Sequence, residues 1–347
     1  MSNDNIAALA KGFRKRAGRG GVLSDPVGLS HVSEFISTGC VPLDIIMGGG
    51  VPLGRLIEIH GETSSGKSLI ALQVLAECQK SGGIGVLLDT ESTTSTDIAE
   101  AVGVNCDDLI YDVPETMEQV WQSITAAVEA KAEMEDPKQP MVIVWDSIAS
   151  TAAQEEIDKM KKDGLNSRTM GVHARLLSGM GRNLPILAAK NNISMVFINQ
   201  VREKIGVMFG DTIALPGGKA VPFYSSIMVQ LSVVSKVKEQ GRTVGEKVRA
   251  TVTKNKVAPP WRTCTFPIYF GSGANNPEAI LEWIKDNELG GYRGGVWSKL
   301  TLPSGEVKWQ GKDGWLEVYN ANQAEIHAVC YSATSAPSEE VVNVEEV

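Results

Sequence analysis

The stretch Gly61-Glu62-Thr63-Ser64-Ser65-Gly66-Lys67-Ser68 matches the phosphate-loop pattern G-x-x-x-x-G-K-S/T at every fixed position. Residues 55–60 before it are typical of a short buried strand, and residues 67–79 carry apolar side chains at helical spacing. A loop between strand and helix presents backbone N–H groups to phosphate oxygens. Lys67 is therefore predicted to reach the outer phosphates of a nucleotide and Ser68 to ligate Mg²⁺, with a non-functional glycine-rich turn as the alternative.

The composition is that of a globular protein and argues against several other classes. With 347 residues and 43% hydrophobic content, the chain is long enough for one large domain with small appendages. No apolar run reaches the length of a transmembrane helix, and residues 1–5 do not resemble a signal peptide, so a cytoplasmic protein is expected. Because the five cysteines lack C-x-x-C spacing, reduced thiols are expected rather than disulfides or a zinc site.

The net charge of −8 does not by itself suggest a nucleic-acid partner, but the charge is unevenly distributed. Basic residues gather within residues 11–19, whereas acidic residues crowd residues 339–346. A local basic surface still binds phosphates on an acidic protein, because charges are screened beyond about 8 Å in cells.

The hydrophobic pattern divides the chain into four segments. Residues 1–33 predict a helix and a short strand that dock on the main domain or on another subunit. Residues 34–270 alternate buried strands with helices, which predicts an α/β core with a mainly parallel sheet. Residues 271–331, rich in tryptophan, predict a small C-terminal lobe, and residues 332–347 predict a disordered acidic tail.

Three predicted strands end in polar residues, at the edge where open α/β sheets bind ligands. Asp146 ends residues 141–146 and is the expected acid that orients Mg²⁺. Glu91 follows the strand at residues 85–89 and is placed to polarise water, provided that these two strands are neighbours. Gln200 ends residues 194–200 and is placed to contact the γ-phosphate. The alternatives are structural, since strand-end acids cap helices and an edge glutamine satisfies backbone groups.

Polar segments follow two of these strands. Residues 201–219 mix cations, large apolar residues and glycines, as expected of a loop that binds single-stranded nucleic acid. In residues 155–169 basic side chains alternate with acidic ones, and composition alone favours a solvated surface loop. Farther on, residues 226–234, 247–254 and 263–270 are predicted to extend the sheet in antiparallel fashion.

The chain resembles the RecA family of homologous-recombination ATPases from its N-terminal helix to Phe270. The most specific matches are the phosphate loop, Phe197-Ile198-Asn199-Gln200, Lys204-Ile205-Gly206-Val207-Met208-Phe209-Gly210, Gly217-Gly218 and Lys254-Asn255-Lys256. The resemblance implies a RecA-like P-loop ATPase core and a helical filament in which ATP lies between adjacent subunits and residues 1–33 pack on a neighbour. It also implies a DNA-dependent ATPase that pairs single-stranded DNA with a homologous duplex and exchanges strands.

The resemblance assigns roles by position. Residues 61–68, Asp146 and Phe270 correspond to the ATP site, and Ser68 and Asp146 to the Mg²⁺ ligands. Glu91 corresponds to the activator of water and Gln200 to the nucleotide sensor. Lys254 and Lys256 correspond to a pair that reaches the neighbouring subunit's γ-phosphate, although a solvated strand end explains them equally well without the family.

The resemblance also implies a DNA-binding surface formed by two loops, residues 155–169 and 201–219, and the positions around them. The corresponding residues here are Met170, Arg175, Ser178, Arg182, Arg202, Lys204, Ile205, Met208, Phe209, Gly217, Gly218 and Lys219.

Several positions depart from the family pattern. Ser95 and Ile98 stand where the family has an acid and a tyrosine near the adenine, while Phe270 replaces a stacking tyrosine. Stacking can therefore survive without the usual polar contacts. Further departures, in the subunit interface, the second DNA site and the phosphate loop, are Pro222, Thr251 and Glu62-Thr63. They are consistent with a distant or phage-borne member.

Two other functions fit a nucleotide-binding core of this kind. A hexameric DNA helicase would be expected to carry an arginine finger and an N-terminal primase-binding domain, and neither is evident in the sequence. A non-catalytic accessory paralogue would hold nucleotide without turnover, and the intact Lys67, Glu91 and Asp146 argue against it.

Overall fold

The computed structural model describes residues 3–17, 32, 34–164, 171–203, 213–214, 216–218 and 220–332. Within these residues the helices are α1 (Asn3–Ala17), α2 (Val41–Met47), α3 (Lys67–Lys80), α4 (Thr96–Ala101), α5 (Met117–Ala132), α6 (Gln154–Asp163), α7 (Val172–Asn191), α8 (Ala220–Tyr224), α9 (Asn276–Asp286), α10 (Gly311–Ala321) and α11 (Gln323–Ser332). The strands are β1 (Phe35–Ile36), β2 (Val51–Pro52), β3 (Leu56–Gly61), β4 (Ile84–Asp89), β5 (Leu109–Asp112), β6 (Met141–Asp146), β7 (Ile193–Gln200), β8 (Arg202–Glu203), β9 (Ile213–Ala214), β10 (Ile227–Glu239), β11 (Arg242–Asn255), β12 (Thr263–Tyr269), β13 (Gly273–Ala274), β14 (Ser298–Leu302) and β15 (Gly305–Trp309).

The central sheet of the described residues has the strand order β13-β12-β11-β10-β3-β7-β6-β4-β5. Neighbours from β10 to β5 are parallel, and those from β10 to β13 are antiparallel. The predicted α/β core with a mainly parallel sheet is therefore confirmed. The antiparallel prediction for residues 226–234 is wrong, because the chain reaches β10 through α8 and starts it at the same edge as β3. The antiparallel prediction is correct for β11 and β12, because each of them pairs with the strand that precedes it after the chain turns back.

Residues 154–163 are helical, where composition favoured a solvated loop. Acids stand in the first turn of α6 and lysines in the last, an arrangement that the helix dipole stabilises. The Ala153 N–H donates to Glu156 at 3.1 Å, and Glu155 pairs with Lys159 at 2.6 Å one turn along. The alternation of acids and bases thus belongs to an exposed helix rather than to a loop.

Alternate side chains of the parallel strands pack into two separate apolar layers. On β6, Val142 and Val144 contact the layer that contains α2 and α3, whereas Ile143 and Trp145 contact the layer that contains α5 and α7. Because both faces are covered, β4 and β6 are continuous apolar runs that become polar only at Asp89 and Asp146. The polar ends of β3, β4, β6 and β7 consequently lie together at one edge of the sheet.

A third apolar cluster joins α9, α10, α11 and the β14–β15 hairpin around Trp309 and Trp315. It is continuous with α2 through Val41 and Ile45. The C-terminal lobe predicted for residues 271–331 falls on these elements, and its boundaries stay a prediction. At the other end of the chain, the predicted helix is α1, and the predicted strand at residues 22–23 lies outside the described residues. Of the tail predicted for residues 332–347, Ser332 ends α11 and the rest lies outside the described residues.

Asp44 is a buried carboxylate that ties the segment before α2 to that helix. It is 3% exposed, and it accepts hydrogen bonds from Ser37 Oγ at 2.6 Å, Thr38 N at 2.7 Å and Thr38 Oγ1 at 2.6 Å. Burial raises the pKa of Asp44 to about 7, although these three donors favour its ionised form. The segment therefore depends on one acceptor group for several buried donors.

We expect Asp44→Ala to lower the free energy of unfolding by about 3 kcal/mol, because buried donors would lose their acceptor. The measurement is urea denaturation. Asp286→Ala, which removes an exposed carboxylate from α9, is the matched control and should change stability by less than about 0.5 kcal/mol. Equal denaturation midpoints for the two variants would contradict this role of Asp44.

Candidate nucleotide site and nucleic-acid interface

The phosphate-loop pattern lies between β3 and α3, as predicted. Ser64 and Gly66 have φ angles of 63° and 86°, so the loop curls back on itself before the helix begins. No side chain caps the first turn of α3, which leaves its N–H groups to an outside acceptor. The loop also needs a residue without a side chain at Gly61, because a Cβ there would lie 2.4 Å from the carbonyl oxygen of Leu231. The local structure is that of an anion-binding loop.

Lys67 is a buried cation in this loop. It is 6% exposed, and its ammonium donates to the carbonyl oxygen of Glu62 at 2.6 Å. Burial lowers the pKa of Lys67, while the negative charges of Asp146, Glu91 and Glu62 act in the opposite direction. A phosphate group placed in the loop would give this ammonium an ionic partner at short range.

Glu91, Asp146 and Gln200 meet at the carboxyl edge of the sheet. Strand β4 pairs directly with β6, with Asp89 opposite Asp146, so the condition set for Glu91 is met. Glu91 Oε1 accepts hydrogen bonds from Ser147 Oγ at 2.7 Å and Gln200 Nε2 at 3.1 Å. Burial raises the pKa of Asp146 to about 6, and its interaction with the Ser68 hydroxyl lowers it.

One pocket of about 340 Å³ brings most of the predicted nucleotide-site residues together. Its lining consists of Thr63, Ser64, Gly66, Lys67, Ser68, Leu69, Glu91, Asp146, Ile198, Gln200, Glu246, Val248, Ile268 and Phe270. Phe270 is 59% exposed at the rim and presents an aromatic ring to the opening. Ser95 and Ile98 do not line this pocket. The Ser95 hydroxyl instead caps α4 by accepting from Ile98 N at 3.3 Å.

Two residues that hold the site together were missed in the sequence. Ser147 donates to Glu91, and Asp89 accepts from the backbone N–H groups of Glu91, Thr93 and Thr94 at 3.1, 3.1 and 2.9 Å. The available signal was their position, because both stand at strand ends beside predicted site residues. An aspartate at such a turn commonly binds the N–H groups that follow it.

Lys254 and Lys256 lie away from this pocket. Lys254 pairs with Met228 of β10, and Met228 in turn pairs with Glu58 of β3. Glu58 lies three residues before Gly61, where β3 ends. Its ammonium donates to the carbonyl oxygens of Pro222 and Phe223, the latter at 3.2 Å. Lys256 is exposed, and burial together with the charge of Lys256 lowers the pKa of Lys254. The two lysines are therefore not part of the nucleotide pocket of their own chain.

The predicted DNA-binding residues that can be described lie on and beside α7. Arg175, Ser178 and Arg182 are exposed at spacings of three and four residues, which places them on one face of the helix. Arg175 pairs with Glu155 of α6 at 2.7 Å. Gly217 is adjacent to the same helix, because a Cβ on it would lie 2.3 Å from Leu177 Cδ1.

Gly218 also lies beside α7, and Arg202 is in the two-residue strand β8, which pairs with β9. The remaining predicted DNA contacts lie outside the described residues: Met170, Lys204, Ile205, Met208, Phe209 and Lys219.

Three features of the described residues bear on other kinds of site. All five cysteines lie among the described residues with free thiols, and their reduced state stays a prediction. No group of three or more His, Cys, Asp and Glu side chains in the described part of the chain is arranged to hold a metal ion. None of the helices described is both long enough and apolar enough to cross a membrane.

Comparison with known proteins identifies the family. The profile of the RecA N-terminal domain matches residues 5–275. The chain is 38% identical over 295 residues to Protein RecA of Clostridium novyi, which covers 83% of this chain and 81% of the relative. It is 40% identical over 250 residues to Protein RecA of Caldanaerobacter subterraneus, covering 72% and 70%, and 35% identical over 322 residues to that of Bordetella avium, covering 92% and 87%. The phosphate loop, the strand order and these matches agree, and the chain belongs to the RecA family of ATP-binding, DNA-dependent ATPases of homologous recombination.

Proposed function

We propose that this chain polymerises as a helical filament on single-stranded DNA, pairs that strand with a homologous duplex and exchanges strands in recombination and repair. The observation that carries the proposal is the hydrogen bond between Gln200 and Glu91 at 3.1 Å. It joins the nucleotide pocket to the strand that leads directly into residues 201–219. A change at the terminal phosphate can thereby alter the segment that we assign to DNA binding.

ATP and Mg²⁺ are the proposed ligands of the pocket. The backbone N–H groups of the loop and the Lys67 ammonium would hold the phosphates, and Ser68 and Asp146 would hold the metal. Two protein ligands would suffice for Mg²⁺, which proteins commonly hold through one or two carboxylates together with substrate phosphates. When bound, the ion neutralises charge that develops on the transferred phosphoryl group.

Glu91 is the proposed activator of water. The hydrogen bonds from Ser147 and Gln200 both end on Oε1, which leaves Oε2 available. We assign to Oε2 the role of accepting the proton of the attacking water. Ser147 and Gln200 would position the carboxylate, and Asp89 would position the turn that carries it. Phe270 would stack on the base at the rim, without the polar contacts that the family has at the positions of Ser95 and Ile98.

The proposed active site is shared between subunits. Lys254 and Lys256 do not line the pocket of their own chain, and we assign them to the γ-phosphate held by the neighbouring subunit. The apolar residues Ile6, Leu9 and Phe13 of α1 are exposed, as expected of a helix that docks on another copy. A head-to-tail contact of this kind propagates into an open filament unless its rotation closes into a ring.

The proposed DNA-binding surface combines the exposed face of α7 with residues 201–219. Arg175 and Arg182 would neutralise phosphates of the strand, and the Gly217-Gly218 pair allows close approach of the backbone. We propose the same role for the predicted contacts that lie outside the described residues. Residues 1–33 would serve oligomerisation and residues 34–270 catalysis and DNA binding, in the cytoplasm of the cell or of a phage host. Residues 271–331 would form a C-terminal lobe, and the acidic tail at 332–347 would restrain duplex binding.

ATP turnover with and without single-stranded DNA, measured alongside electron microscopy of the same mixtures, tests the proposal. We expect DNA to stimulate hydrolysis and to appear coated by open filaments. Lys67→Ala should abolish hydrolysis, whereas Lys138→Ala, an exposed lysine outside the pocket, should not. Closed rings would instead indicate a helicase, and filaments without turnover would indicate an accessory protein.

Mixing two inactive variants tests the shared site. Lys67→Ala destroys the pocket of its own subunit but leaves Lys254 intact, and Lys254→Ala does the reverse. In equal mixtures roughly a quarter of the head-to-tail interfaces would combine an intact pocket with an intact lysine, so DNA-stimulated turnover should return. The control replaces the Lys67→Ala protein with the Lys67→Ala/Lys254→Ala double variant, which cannot complement. Failure of the first mixture to recover turnover would show that Lys254 does not act across the interface.

A further inference from the structure

Two buried polar side chains interrupt an apolar face of the sheet. On the face that packs against α5 and α7, β3 and β7 present Leu56, Met195 and Phe197 to the core. Glu58 and Asn199 lie on this same face, because side chains alternate along a strand. Both are 0% exposed. A carboxyl group in such a place requires a specific partner.

Asn199 connects Glu58 to the end of the 201–219 segment. Its Nδ2 donates to Glu58 Oε1 at 2.9 Å and to the carbonyl oxygen of Pro216 at 3.2 Å. The two hydrogens of one amide group are thereby both used, one on the sheet and one on the chain just before Gly217. Since Gly217 packs against α7, the end of the segment is held on this face of the sheet.

Neighbouring side chains of β7 reach opposite faces of the sheet. Ile198 and Gln200 line the nucleotide pocket, and Gln200 contacts Glu91. Asn199, between them, contacts the other end of the segment that Gln200 begins. At the end of β7, Gln200 therefore faces the nucleotide pocket, and the adjacent Asn199 contacts the last residues of the proposed DNA loop.

Two oxygen atoms of this arrangement have no partner among the described residues, although both are buried: Glu58 Oε2 and Asn199 Oδ1. Two acceptors cannot satisfy one another, so an ionised Glu58 would leave both unmet. A protonated Glu58 could donate from Oε2 to Asn199 Oδ1 while Oε1 accepts from Nδ2. The acid and the amide would then form a paired ring of two hydrogen bonds.

The surrounding charges are compatible with this neutral form. Burial raises the pKa of Glu58 to about 7, against the hydrogen bond from Asn199 and the charge of Lys254 on β11, which lower it. On its own strand the nearest titratable group is His60, whose pKa burial and the charge of Lys67 lower to about 4. His60 is therefore neutral at physiological pH and supplies no counter-charge to a carboxylate.

We infer that Glu58 is a positioning residue that acts as a neutral carboxylic acid, holding Asn199 and through it the end of the DNA loop at Pro216. Glu58 does not line the nucleotide pocket, so it is not a catalytic residue. The inference rests on the proposed DNA-stimulated ATPase, and it assigns a means by which the loop end is kept in register with the nucleotide sensor.

Two substitutions at Glu58 separate hydrogen bonding from charge. Glu58→Gln retains an acceptor and a donor in the same places but is never charged, and it should keep DNA-stimulated turnover within about twofold of the unaltered protein. Glu58→Leu keeps the volume and loses both hydrogen bonds. We expect it to need about tenfold more single-stranded DNA for half-maximal stimulation, which corresponds to the net contribution of about one hydrogen bond. Its KM for ATP without DNA should be unchanged.

Each outcome decides one point. Glu58→Gln behaving like Glu58→Leu would show that the charge is needed and would overturn the neutral form. Glu58→Leu responding to DNA like the unaltered protein would overturn the positioning role. Absence of DNA stimulation in the unaltered protein would instead contradict the proposed function itself.

A pH series tests the neutral form even if Glu58→Leu does not fold. A carboxyl group with a pKa of 4.5 when unfolded and about 7 when folded stabilises the fold most below pH 4.5, and this advantage is lost as the pH rises through about 7. The unfolding free energy of the unaltered protein, measured relative to Glu58→Gln, should fall across that window. A constant difference between the two proteins would overturn the inference.

Discussion

Parallel pairing of β3, β7, β6 and β4 is the constraint on which the rest of the structure depends. Parallel strands deliver their carboxyl ends to the same edge, so residues distant in the chain meet there without any long-range signal in the sequence. The phosphate loop leaves that edge from β3, Gln200 from β7, Asp146 from β6 and Glu91 from β4. Because helices cover both faces, those ends are also where polar side chains can be placed at the lowest cost in desolvation.

The buried charged groups of the described residues differ in how fully their partners satisfy them. Asp44 accepts from three donors, and Lys67 donates within its own loop. Glu58 differs from them because only one of its oxygens is bonded among the described residues. A charge in that position would be costly, whereas a neutral acid paired with an amide would not. The protonation state of one side chain thus becomes part of how the sheet is joined to the loop that follows it.

In the proposed assembly, the nucleotide pocket of a single chain is an incomplete site. It collects the phosphate loop, three acids, a glutamine and an aromatic rim, yet Lys254 and Lys256 lie elsewhere on the molecule. Exposed apolar residues on α1 provide a second surface that a single chain does not cover. Catalysis that needs a neighbour's lysine couples hydrolysis to assembly, since only adjacent subunits on DNA would form a complete site.

The sequence by itself determined the phosphate loop, the strands that end in Asp89, Asp146 and Gln200, and the family, because these depend on local spacing and on uninterrupted apolar runs. It misjudged α6, where alternating acids and bases proved helical, and the direction of β10, because neither composition nor length reveals where a connection returns the chain. Only the tertiary structure decided that Ser147 bonds Glu91, that Gly217 packs on α7 and that Glu58 meets Asn199. Those contacts join residues far apart in the chain, and strand order and register, which periodicity does not encode, brought them together.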